Sequence, residues 1–241
     1  MSKIKSNKAL ITGGASGIGK LMGLQLLQKG LSTLVIWDIN ETLLQSTALE
    51  FKKMGYEVYI YLVDVMNTAQ VINTAALVKK EVGKIDILIN NAGIVVGKYF
   101  IDHTHEDIDK TIGINCNALM HITKEFLGDM MHTKQGHIVN IASAAGMVSN
   151  PKLSVYVASK FAVIGWSDSL RLEMEKEKTN VKITTVTPFY ISTGMFDGVK
   201  SSIIPIVKPQ NAVNKIIRGI ENDRLYVRMP GIVNWVYFVK G

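Results

Sequence analysis

One turn constrains this chain more than any other feature. The apolar run Ala9-Leu10-Ile11 leads straight into Thr12-Gly13-Gly14-Ala15-Ser16-Gly17-Ile18-Gly19, and a helical pattern over residues 17–28 opens within it. Glycines let the backbone reverse tightly and let the new helix press against the strand it has just left. A strand, a tight glycine turn and a helix in that order begin a βαβ unit. A helix N-terminus placed there offers free N–H groups and partial positive charge to a phosphate. Taken alone, the turn is also compatible with a plain strand-to-helix connection.

The rest of the chain continues the alternation. Strand-length apolar runs at 9–12, 33–37, 58–63, 85–89, 137–141, 181–186 and 225–227 alternate with helical patterns at 17–28, 41–53, 68–82, 107–131, 155–178 and 211–220. In the second helix, Leu43, Leu44, Leu49 and Phe51 place apolar groups mostly on one side. Strands joined by crossover helices imply an α/β fold, a doubly wound parallel sheet with helices on both faces. The 241 residues fit a single domain. Its cofactor-binding half is expected at about 1–150 and its catalytic and substrate half at about 151–241. The least regular stretch runs from Pro188 to Pro209, and loops of that length inside compact domains are commonly functional.

Composition narrows the classes. Hydrophobic residues make up 47% and charged residues 20%, which excludes a disordered chain. A net charge of +7 invites nucleic acid or an anionic membrane as partners. There is, however, no run of five like charges and no arginine stripe interleaved with aromatics, so nucleic-acid binding is not expected. A lone cysteine, Cys116, excludes an internal disulfide and a multi-cysteine metal site, and no metal is expected; a cytoplasmic setting fits. After Lys3, Lys5 and Lys8 the apolar run is too short for a signal peptide, and the absence of an 18-residue apolar stretch predicts no membrane-spanning helix.

Chemistry-bearing residues then recur at strand ends. Asp38 stands 19 residues after Gly19, where a carboxylate can accept both hydroxyls of a ribose; in Asp38-Ile39-Asn40 it can equally be a turn or cap residue. Tyr156 and Lys160 are four apart and share a helix face, with Cβ atoms roughly 5–6 Å apart. A free phenol has a pKa of about 10, and a neighbouring ammonium lowers it.

Together with further motifs, these residues resemble the short-chain dehydrogenases/reductases from about Lys8 to Val227. The motifs are Asp64-Val65, Asn90-Asn91-Ala92-Gly93, Asn115, Ser143 and Pro188 with Thr193. The resemblance implies a Rossmann-type fold and NAD, in preference to NADP, held by Gly13, Ser16, Gly17, Ile18, Gly19, Asp38, Asp64, Val65, Asn91, Ala92, Gly93, Tyr156, Lys160, Pro188, Ile191 and Thr193. It implies a catalytic set of Asn115, Ser143, Tyr156 and Lys160, with Tyr156 as acid/base, Ser143 on the oxyanion, Lys160 on the nicotinamide ribose and Asn115 holding a water that links Lys160 to solvent. Phe189 stands where the family often has glycine.

The wording Val35-Ile36-Trp37-Asp38-Ile39-Asn40 and Thr193-Gly194-Met195-Phe196 is similar to the retinol and 17β-hydroxysteroid branch. That points to an apolar alcohol or carbonyl substrate meeting Ser143, Tyr156, Phe189, Met195 and Phe196, and to a homodimer or homotetramer packed through the helices near 107–131 and 155–178. From Asp197 onward there are seven basic and three acidic residues, and the chain ends in Trp235-Val236-Tyr237-Phe238-Val239-Lys240. Such a segment suggests peripheral membrane contact or a cover for the cleft. A non-catalytic dinucleotide sensor or scaffold and a membrane-surface module remain alternatives on the same fold. The complete set Asn115, Ser143, Tyr156 and Lys160 argues against the sensor, which needs no proton relay.

Overall fold

The computed structural model describes residues 4–192 and 206–231. Among them, seven strands form one sheet: β1 (Lys8–Thr12), β2 (Thr33–Asp38), β3 (Val58–Leu62), β4 (Ile87–Asn90), β5 (Gly136–Ile141), β6 (Val181–Pro188) and β7 (Tyr226–Met229). The order is β3-β2-β1-β4-β5-β6-β7, and every neighbouring pair is parallel. The helices are α1 (Gly17–Gln28), α2 (Glu41–Lys53), α3 (Thr68–Glu81), α4 (His105–Ile112), α5 (Ala118–His132), α6 (Ser154–Lys176) and α7 (Pro209–Glu221).

Both faces of the sheet are covered, which explains why the strands read as continuous apolar runs. Along β2, Leu34 and Ile36 enter one core with α1, α2 and α7, while Val35 and Trp37 enter the other with α3, α5 and α6. Each fully buried aliphatic side chain contributes about 1.5–3 kcal/mol relative to exposure. The direction in which successive strands are added reverses between β1 and β4, although the strands themselves stay parallel. At such a switch point the loops leaving the carboxyl ends of two neighbouring strands part to opposite faces and open a crevice.

Some elements differ from the sequence reading. The helix expected over 107–131 begins at His105, where Thr104 caps it with a reciprocal Asp107 bond, and a π-helical turn interrupts it at Gly113–Asn117. In α2 the buried stripe is Leu44, Thr47, Ala48 and Phe51, while Leu43 and Leu49 face solvent. Positions 44, 47, 48 and 51 follow the helical spacing of one face, and 43 and 49 fall off it. The final strand lies slightly later than 225–227, because its ladder with β6 starts at Tyr226. No helix of the described residues is long and apolar enough to cross a membrane.

Candidate active site

The carboxyl ends of β1, β2, β4, β5 and β6 open onto a cavity of about 440 Å³. Its walls include Gly13, Ser16, Gly17, Ile18, Gly19, Asp38, Asp64, Val65, Asn91, Ala92, Gly93, Ser143, Tyr156, Lys160, Pro188, Phe189 and Ile191. Residues spread over nearly the whole chain are thus brought together in one cavity. Thr193, Met195 and Phe196, and the C-terminal segment 232–240, lie outside the described residues.

At one end, the turn after β1 is held from three sides. Thr12 Oγ1 accepts from Asn91 N (3.0 Å) and Ala92 N (3.1 Å), and Asn91 Nδ2 donates to the carbonyls of Thr12 (3.0 Å) and Gly13 (2.9 Å). Asp38 Oδ2 accepts from Ala15 N at 3.0 Å, and Oδ1 from Asn40 N at 3.0 Å. Asp38 therefore is the turn residue that its local sequence allowed, while its side chain also lines the cavity. A Cβ on Gly19 would lie 2.2 Å from Gly13 O and 2.7 Å from Asn91 Nδ2, so only glycine fits that close approach. Thr12 was missed by the sequence reading; a hydroxyl at the end of the first strand carries no local signal until the partner loop is in place.

At the other end, β5 and α6 meet. The loop after β5 carries Ser143, whose Oγ accepts from Ala145 N (3.1 Å) and donates to Pro188 O (3.4 Å). That loop lies directly on α6, where a Cβ on Gly146 would sit 2.6 Å from Lys160 O. Ser143 is hydrogen-bonded to the Tyr156 hydroxyl. Lys160 Nζ donates to Ile141 O at 2.9 Å and stands 5.7 Å from the Tyr156 ring centroid.

Electrostatics here depart from expectation. Burial pushes Tyr156 up to about 12; the bond from Ser143 pulls the other way, and Tyr190 adds to the rise. Burial also disfavours the Lys160 ammonium and takes it down to about 8. Sequence spacing showed the pair's proximity but not its desolvation.

Asn115 lies behind the cavity wall. Its Oδ1 accepts from Ile94 N (2.8 Å), and its Nδ2 donates to Ile94 O (2.9 Å) and Ser159 Oγ (3.2 Å). The side chain is thus committed to clamping the loop after β4. Its place in the π-helical turn fits the tendency of such turns to occur at functional sites. Cys116 beside it is buried, and burial raises its thiol pKa, which suits a core residue better than a reactive one.

A family model for short chain dehydrogenase matches residues 7–203. The chain belongs to the short-chain dehydrogenase family. Epidermal retinol dehydrogenase 2 of Mus musculus is 39% identical over 249 residues, covering 100% of this chain and 80% of that protein. Estradiol 17-beta-dehydrogenase 11 of Homo sapiens is 37% identical over 225 residues, covering 93% and 75%. A short chain dehydrogenase/reductase from Burkholderia phymatum, solved in complex with NAD, superposes with a TM-score of 0.89 at 25% identity over 98% of this chain and 93% of that one. A short-chain dehydrogenase from Sphingobium yanoikuyae, solved in complex with NADPH, has the same fold, with a TM-score of 0.86 at 24% identity over 97% and 92%.

This short-chain dehydrogenase is an oxidoreductase of CH–OH groups. Its own residues fit a dinucleotide. Helix α1 starts at the cavity with no side-chain cap from Ser16, whereas Asn40 and Asn67 cap α2 and α3.

Proposed function

We infer that this enzyme interconverts an apolar primary or secondary alcohol, of the retinoid, steroid or long-chain class, and its carbonyl, using NAD(H) in preference to NADP(H). The observation that carries the reading is the convergence of Ser143, Tyr156 and Lys160 on one cavity with the glycine turn and Asp38. The names of the retinol and estradiol relatives support the substrate class. Asp38 supports NAD, since its carboxylate would repel a 2′-phosphate.

A bound nicotinamide supplies the hydride or accepts it, and when oxidised it carries positive charge. Tyr156 as a neutral phenol gives its proton to the carbonyl oxygen, while Ser143 donates a hydrogen bond to the same oxygen as charge develops. In the alcohol-oxidising direction Tyr156 must start as the phenolate to take that proton, and a phenolate needs positive charge beside it. Lys160 is the protein's source of it, and with a dinucleotide bound it would also hold the ribose. With a dinucleotide bound, the glycine turn would hold the pyrophosphate, Asp64 and Val65 the adenine end, and Asn91, Ala92, Gly93, Pro188 and Ile191 the nicotinamide end. Phe189 lines the cavity where the alcohol would sit, while Met195 and Phe196, expected beside it from the sequence, lie outside the described residues.

The same proposal includes a homodimer or homotetramer packed through α4, α5 and α6. It also includes a cytoplasmic enzyme with peripheral membrane contact through the basic, aromatic C-terminal segment. Retinol, estradiol and 1-dodecanol are the alcohols to test with each cofactor, read by nicotinamide absorbance. Tyr156→Phe keeps the ring and removes the proton carrier. It is expected to lower kcat roughly 100-fold or more with cofactor binding retained; turnover within a few-fold of the parent would sink the assignment.

A further inference from the structure

Four buried polar side chains form a hydrogen-bonded row between the sheet and the α5–α6 layer. Thr123 of α5, Asn90 of β4, Asn140 of β5 and Ser167 of α6 are all buried, none more than 4% exposed. Asn90 Nδ2 donates to Thr123 Oγ1 (3.0 Å) and to Asn140 Oδ1 (2.8 Å). Asn140 Nδ2 donates to Ser167 Oγ (2.9 Å), and the Ser167 hydroxyl donates to Val163 O (2.6 Å).

Each element in the row delivers part of the site. Helix α5 continues from the turn that holds Asn115, and β4 runs into Asn91-Ala92-Gly93. Strand β5 ends at Ile141, whose carbonyl receives Lys160, two residues before Ser143. Helix α6 carries Tyr156, Lys160, Val163 and Ser167 along one buried stripe. The bonds Lys160–Ile141 and Ser167–Asn140 are therefore parallel rungs from that stripe to consecutive residues of β5.

Stability alone does not account for these residues. A neutral buried hydrogen bond adds only about 0.5–1.5 kcal/mol net, and apolar side chains of similar size could fill the same space. Directional bonds add what apolar contacts lack, a single register between helix and strand. Catalysis is sensitive to that register, because a shift of about 1 Å can cost on the order of 100-fold in rate.

We propose that Asn140 and Ser167 are positioning residues for catalysis: their bond sets the register of α6 on β5 and so the placement of Tyr156 and Lys160 against Ser143. This rests on the reading of Tyr156 and Lys160 given above. The test compares Asn140→Leu, Ser167→Ala, Ser167→Thr and Tyr156→Phe, with NAD and the fastest alcohol among retinol, estradiol and 1-dodecanol. Asn140→Leu and Ser167→Ala are expected to lose roughly tenfold or more in kcat. Alcohol KM should stay within about threefold in both, and Ser167→Thr, which restores the hydroxyl, should return kcat towards the parent. A lowered Tm with unchanged kcat, or Ser167→Thr as poor as Ser167→Ala, overturns the proposal. If Asn140→Leu does not fold, the Ser167 pair decides. Parental turnover in Tyr156→Phe would remove the catalytic reading and this proposal with it. A dead Tyr156→Phe beside fully active Asn140→Leu and Ser167→Ala would remove the positioning role alone.

Discussion

Asp38 has two partners for one carboxylate. It holds Ala15 N and Asn40 N, each at 3.0 Å, so it shapes the glycine turn as well as facing the cavity. Replacing it with alanine would therefore confound cofactor choice with loss of the turn. Asp38→Asn keeps a carbonyl oxygen for Ala15 and drops the charge. We expect the ratio of kcat/KM for NAD to that for NADP to fall about tenfold, equivalent to about 1.4 kcal/mol. The comparison needs both cofactors with one alcohol. An unchanged ratio would mean that Asp38 serves the turn and does not select the cofactor.

At the scale of elements, the turn and β5 each carry a testable constraint. Gly19→Ala would set a methyl 2.2 Å from Gly13 O, a backbone atom that cannot swing aside. Overpacking of this kind costs about 1–3 kcal/mol, so cofactor affinity should drop roughly tenfold or more by calorimetric titration. Gly128→Ala in α5, where an added Cβ meets nothing within 4 Å, is the control and should bind as the parent does.

His137 on β5 gives a pH signature. It is buried at 1% exposure with Nε2 2.7 Å from Thr184 Oγ1, and burial takes its pKa from 6.5 down to about 4, with Asp223 opposing the fall. The folded pKa lies below the unfolded one, so the unfolded chain binds the extra proton and stability falls as pH drops from about 6.5 towards 4. Between pH 7 and 5, urea unfolding should show a loss of about 2 kcal/mol from this group. His137→Gln should flatten that part of the curve, and an identical slope in both proteins would exclude the histidine as its source.

Across the whole molecule, α6 presents two different faces. One side carries the buried stripe of Tyr156, Lys160, Val163 and Ser167. The other leaves Ala158, Phe161, Ala162 and Gly165 exposed, and a Cβ on Gly165 would meet nothing within 4 Å. Small residues at helical spacing allow a second helix to approach closely, which is the basis for the proposed assembly through α6. Ala162→Arg should place a long cation in that contact and shift sedimentation from dimer or tetramer towards monomer. Unaltered sedimentation would move the interface elsewhere.

The alternation of strands and helices, the glycine turn and the Tyr156–Lys160 spacing are legible in the sequence because their physics is local. A strand buried on both faces must be apolar throughout, a tight turn must have glycine, and residues four apart on a helix must be neighbours. The sequence showed no such signature for the clamp of Asn115 on Ile94, 21 positions away, or for the Asn90–Asn140 bond across 50 positions. Nor could it tell that Tyr156 would be driven up to about 12, since burial depends on what closes over a side chain and not on what precedes it. Local pattern decided which elements form and which chemistry they carry. Only the tertiary structure decided how those groups are oriented, desolvated and tied to one another, because those bonds join elements far apart in the chain.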